Sequence, residues 1–132
     1  MTSILIFPLI AAVGQFAIQL ARLSGFRVAT TASPRNFALV HALGADPAAT
    51  VDYAAPDAAA QLQRAITAAS GRCRYALDTI STEDSLRIVL GALAPGPAQV
   101  VVLLKPRPDW PAEDGIEVKR TSLFVSGPGA EE

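Results

Sequence analysis

Ile4-Leu5-Ile6-Phe7-Pro8-Leu9-Ile10-Ala11-Ala12-Val13-Gly14 opens as a continuously apolar run and closes on a glycine-ended turn. Four apolar residues in a row suit a strand covered on both faces. Behind the turn, Val13, Phe16, Ala17, Leu20 and Leu23 have the spacing of one helix face, with Gln15, Gln19 and Arg22 on the other side. Gly25 stands where a left-handed C-cap is wanted, and Arg27-Val28-Ala29-Thr30-Thr31 reads as a second strand closing on Ser33-Pro34-Arg35-Asn36. Strand, turn, helix and strand make the first half of a dinucleotide-binding βαβ unit.

The alternation continues outward from that unit. Ser33 with Pro34 starts a helix that runs to about Leu43 and stops at Gly44. Thr50 to Tyr53 is a third strand, and Pro56-Asp57 begins a helix with Leu62, Ile66 and Ala69 on one face. Arg74 to Asp78 is a fourth strand, followed by a capping-box pattern, Ser81 to Asp84, before Leu86, Val89, Leu90 and Leu93. Gln99 to Leu104 is the most apolar strand, Lys105 to Gly115 a proline-containing loop, and Ile116–Lys119 with Ser122–Val125 a last strand. This predicts an α/β fold: a Rossmann-type doubly wound, mostly parallel sheet of five or six strands with helices on both faces. Residues 1–126 are expected to form one nucleotide-binding domain and 127–132 a disordered tail.

Composition narrows the function classes. The chain has 132 residues, 51% hydrophobic, with a formal net charge of −1, which suits one globular domain and gives no basic cluster for nucleic acid. One cysteine, Cys73, allows neither an internal disulfide nor a multi-cysteine zinc site. No run approaches the roughly 20 apolar residues of a membrane span. The apolar start lacks the basic flank of a signal peptide, since no Lys or Arg precedes Arg22. The expected compartment is cytoplasmic, with no membrane, nucleic-acid or metal partner.

Ligands in such sheets lie at the carboxyl ends of the strands, which points to the loops after Phe7, Ala32, Asp52, Asp78 and Leu104. The first turn has no GxGxxG; Pro8 removes a donor, Leu9 and Ile10 add bulk, and Ala11 and Ala12 stay small. It reads either as a phosphate site at a helix N-terminus or as a tight packing turn. The end of the second strand carries no acid for a ribose 2′-hydroxyl, whereas Ser33, Arg35 and Asn36 bring an arginine that can meet a 2′-phosphate. The missing acid and the added base agree on NADP; the alternative is a capped helix with one exposed arginine. Tyr53, an aromatic at the end of the third strand, can pack against adenine or bond a phosphate. His41 and Cys73 read as structural, Asp52 and Asp78 as loop caps or ligand contacts, and no catalytic residue stands out.

Ala12-Val13-Gly14-Gln15-Phe16-Ala17-Ile18-Gln19-Leu20-Ala21 resembles the medium-chain dehydrogenase/reductase superfamily. Ser33-Pro34-Arg35-Asn36, Leu43-Gly44-Ala45-Asp46, Asp52-Tyr53 and Tyr75-Ala76-Leu77-Asp78-Thr79-Ile80-Ser81 narrow the resemblance. Together they are similar to the zinc-independent enoyl reductases that act in trans with fungal highly reducing polyketide synthases in secondary metabolism. The resemblance implies reduction of an α,β-unsaturated thioester on the synthase's carrier protein with NADPH. It implies that Ile10, Ala11, Ala12 and Val13 sit at the cofactor phosphates. Ser33, Pro34, Arg35 and Asn36 would hold the adenine–ribose end with Tyr53 beside it, and Leu104 and Lys105 would approach the nicotinamide.

In that family the Rossmann unit is inserted in a larger catalytic domain, which is expected to be absent here. Three readings follow: a reductase or part of one; a truncated, catalytically inactive remnant with nucleotide affinity; and an interaction module docking through apolar surface.

Overall fold

The structure, a computed structural model, describes residues 2–7, 12–70, 73–103 and 107–120. Its strands are β1 (Ser3–Phe7), β2 (Arg27–Ala32), β3 (Ala45–Asp52), β4 (Cys73–Asp78), β5 (Ala98–Val102) and β6 (Ile116–Arg120). Between them lie α1 (Ala12–Leu23), a 3-10 turn (Pro34–Asn36) leading into α2 (Phe37–Leu43), α3 (Ala58–Ser70) and α4 (Glu83–Leu93). The six strands form one sheet in the order β3-β2-β1-β4-β5-β6, every neighbouring pair parallel. That is the doubly wound Rossmann architecture expected from the alternation.

Strand β1 lies at the centre because both of its faces are apolar. Leu5 and Phe7 enter a core with Leu62, Ile66, Leu86 and Val89 of α3 and α4. Ile6, flanked by Ile4, enters a second core with Ile18, Ala21 and Val40 of α1 and α2. Burying a Leu or Ile stabilises by roughly 1.5–3 kcal/mol, so the two layers fix the register of the central strand. The chain winds outward from β1 to β3, crosses back through α3, and winds the other way from β4 to β6. Strand order therefore reverses between β1 and β4.

Three local expectations change. The third strand begins at Ala45, not Thr50, because Val28 pairs with Ala45 while Thr30 pairs with Thr50. The interruption contains Pro47, which has no N–H to donate, and Asp46, whose carboxylate accepts from Ala48 N at 2.9 Å and ion-pairs with Arg27. Helix α4 is capped by Thr82, with Ser85 completing the reciprocal pair, so Ser81 lies outside the box. The face α1 turns to the sheet is Gly14, Ile18 and Ala21, not the Val13–Leu23 stripe. Gly14 and Ala21 let the helix approach the strands closely on either side of the buried Ile18, while Val13, Phe16, Leu20 and Leu23 are exposed. Ser122–Val125 and the tail 127–132 lie outside the described residues.

Candidate nucleotide-binding site

The site is built from the carboxyl ends of the strands on either side of the reversal. At the end of β2, Ser33 is extended (φ −68°, ψ 145°), and its carbonyl accepts from Asn36 N at 2.8 Å to close the 3-10 turn. Pro34 occupies the first helical position, as its sequence context predicts. The Ser33 hydroxyl makes no capping bond, and neither does the Asn36 side chain where α2 begins. Arg35 is exposed and enters no ion pair among the described residues. Three polar side chains, one cationic, stand together at a strand end that carries no acid.

The β3 end joins this group. Ala32 pairs with Asp52, and Tyr53 N donates to the Ala32 carbonyl at 3.3 Å. Asp52 uses its carboxylate to accept from Ala54 N at 2.9 Å, a cap of its own turn. Tyr53 keeps a ring that is 49% exposed beside the β2 terminus. The fold thus brings together Ser33, Pro34, Arg35, Asn36 and Tyr53. Ala12 and Val13 form the exposed first residues of α1. Ile10, Ala11, Leu104 and Lys105 lie outside the described residues.

Across the reversal, the end of β4 is a closed hydrogen-bond network. Thr79 donates to the Phe7 carbonyl through both its N–H and its hydroxyl, each at 3.0 Å, tying β4 to the end of β1. The Asp78 side chain is fully buried. One carboxylate oxygen accepts from Ile80 N (3.0 Å) and Ser81 N (2.9 Å), the other from the Ser85 hydroxyl (2.6 Å). Burial pushes this carboxyl above its ordinary value, opposed by the bonds from Ser81, Ser85 and Ile80. Asp78 is a turn anchor. Ser81, at φ 60°, donates its hydroxyl to the Asp78 carbonyl and accepts from Leu103 N, which links the turn to β5.

Sequence reading missed that link, since it placed Ser81 as the helix cap; the overlapping pair Thr82 and Ser85 was the available signal. His41 bonds Thr50 at 3.1 Å and packs against Phe37. Cys73 is buried, with its thiol directed at the Ser3 and Tyr75 carbonyls, and burial pushes that thiol up. Both have structural surroundings.

The zinc-binding dehydrogenase family model matches residues 12–120. The chain belongs to this family, within the medium-chain dehydrogenases/reductases. It is 43% identical over 91 residues to trans-enoyl reductase mpsG of Macrophomina phaseolina, covering 69% of this chain and 24% of that protein. It is 36% identical over 122 residues to trans-enoyl reductase ACTTS2 of Alternaria alternata, covering 92% of this chain and 33% of that protein. The chain therefore spans a quarter to a third of the length of these curated relatives.

Among solved structures, an NAD-dependent alcohol dehydrogenase superposes with a TM-score of 0.71 at 22% identity, over 90% of this chain and 35% of the other. The mitochondrial 2-enoyl thioester reductase Etr1p/Etr2p heterodimer of Candida tropicalis gives 0.70 at 14% identity, over 92% and 36%. These likenesses bear on the fold.

The family's description includes zinc, but the described residues do not fit that metal: no three His, Cys, Asp or Glu side chains among them converge. A nicotinamide dinucleotide fits better, because uncommitted donors and a cation gather at the β2 end, where its ribose would lie. No described helix is long and apolar enough to cross a membrane.

Proposed function

We propose that this chain is the cofactor-binding unit of an NADPH-dependent trans-acting enoyl reductase. The reaction is reduction of an α,β-unsaturated polyketide thioester held on the carrier protein of a highly reducing polyketide synthase, in the cytoplasm. The observation that carries the cofactor reading is Ser33-Pro34-Arg35-Asn36 at the end of β2, with uncommitted side chains and no acid. The relatives' name, trans-enoyl reductase, supports the reaction class.

In this reading the Arg35 guanidinium and Ser33 hydroxyl hold the 2′-phosphate, Asn36 bonds the ribose, and the Tyr53 ring covers adenine. Ile10 to Val13 meet the pyrophosphate, and Leu104 with Lys105 borders the nicotinamide. Bound NADPH would supply the hydride.

A second reading has its own observation. Asp78, the buried carboxyl at the crevice, has both oxygens occupied by Ile80, Ser81 and Ser85, so this side chain is committed to its turn and does not serve as a proton donor. On this reading the 132-residue chain binds NADPH and does not turn over alone. Calorimetric titration with NADPH and NADH, beside an activity assay with an enoyl thioester, tests both.

A further inference from the structure

The β1–β4 ladder ends on the pair Phe7–Asp78 and the β4–β5 ladder on Asp78–Val102, so both stop at one residue. The turn at 78–81 carries each of them further. Thr79 donates twice to the Phe7 carbonyl, and the Ser81 hydroxyl takes the next amide of the β5 chain, that of Leu103, at 2.8 Å. The adjacent ends of β1, β4 and β5 are thereby clamped by one turn.

Ser81 does this in a conformation that disfavours a side chain. Its φ of 60° is the one positive value at a non-glycine position among the described residues. Glycine adopts such a backbone freely, whereas a residue with a Cβ holds it only where its surroundings over-determine it. The Ser81 N–H donates to an Asp78 carboxylate oxygen at 2.9 Å, and the hydroxyl gives its one proton to the Asp78 carbonyl at 2.9 Å. A glycine here would keep the amide bonds of the turn and lose only those of the hydroxyl. What the side chain adds across the sheet is the acceptor for Leu103, and at 3% exposure water is a poor substitute for it.

We infer that Ser81 is a positioning residue for the nicotinamide half of the cofactor, holding the exit of β5 in register with the ends of β1 and β4. Its place in the sheet selects that half. The cluster assigned to the adenine end, Ser33 to Asn36 with Tyr53, stands at the ends of β2 and β3, on one side of the strand-order reversal. Ser81 acts on β4 and β5, on the other side. A dinucleotide laid across such a crevice places one mononucleotide on each side. A small shift of the β5 exit then disturbs contacts to the near half and leaves the far half alone. The inference rests on the NADPH reading and concerns one half of that ligand.

Titration of the chain and of Ser81→Gly with NADPH and with adenosine 2′,5′-bisphosphate, which carries the adenine end without the nicotinamide, tests this. The wild-type chain is expected to bind NADPH more tightly than the bisphosphate. Ser81→Gly is expected to lower NADPH affinity about tenfold and to leave the bisphosphate unchanged, the effect of loosened contacts on one half of the ligand. Glycine suits the backbone at this position, so the variant folds. Without any ligand, hydrogen exchange at the Leu103 amide, read by nuclear magnetic resonance, is expected to quicken in the variant. Equal losses for the two ligands would mark a merely structural role and overturn the inference, as would unchanged NADPH affinity. Unchanged exchange at Leu103 would overturn it at the bond itself. A wild-type chain that binds the bisphosphate and NADPH equally keeps the adenine end of the nucleotide reading and overturns this inference alone; a chain that binds neither overturns both.

Discussion

The Ser81 hydroxyl accepts the Leu103 amide proton at 2.8 Å while donating its own to the Asp78 carbonyl at 2.9 Å. One buried side chain thereby holds the turn after β4 against the exit of β5, two loops that border the carboxyl-end crevice. Ser81→Ala leaves the Leu103 N–H without its partner and is expected to cost about 1–3 kcal/mol. Urea unfolding of the two proteins measures it; an unchanged midpoint would contradict the role assigned to Ser81.

Asp78 sets a pH dependence of unusual sense. Burial raises its carboxyl in the folded state above the ordinary 3.8, so the native protein holds that proton more tightly than the unfolded chain does. Its contribution is fully present below the unfolded value and is lost as pH rises through the folded one. Asp57 acts oppositely: the Gln61 side-chain bond holds it below 3.8, and what it adds is lost as pH falls. Asp78→Asn removes only the first effect, so its stability relative to wild type improves as pH rises above 3.8. Unfolding curves for both proteins across that range are expected to diverge; parallel curves would contradict it. Asp78→Ala strands the Ile80, Ser81 and Ser85 donors and is expected to cost about 3 kcal/mol.

Gly44 ends α2 at φ 125°, where a Cβ would stand 3.0 Å from the Cβ and Cγ of Arg22. Gly44→Ala therefore meets both an unfavourable backbone and a close neighbour, with an expected loss of more than about 1 kcal/mol. Thermal unfolding reads this directly, and a stabilised variant would contradict it.

The fold was legible because it is written in periodicity. Apolar runs separated by helix-spaced segments, with Gly25 and Gly44 at helix ends, carry enough information to place alternating elements. The β2-end cluster was legible for a related reason, since Pro34 permits one position in a helix start and thereby fixes Ser33, Arg35 and Asn36 around it. What escaped depended on neighbours far along the chain. The outward turn of Phe16 and Leu20 follows from how closely α1 approaches β1 and β2, and both candidate faces of that helix are apolar. The early start of β3 rests on pairing with Val28 around Pro47. Ser81's bond to Leu103 joins residues separated by a helix and a strand, and a local capping pattern competed for the same serine.

Arg35 carries the central claim, and calorimetric titration of the chain with NADPH and NADH, repeated on Arg35→Ala, tests it most directly. A charge-assisted bond to the 2′-phosphate is worth about 1.5–3 kcal/mol, so NADPH is expected to bind roughly 10- to 100-fold more tightly than NADH. Arg35→Ala should remove most of that preference while leaving NADH binding nearly unchanged. Equal affinity for the two cofactors, or a preference that survives the substitution, would contradict the assignment of the β2 end to NADPH.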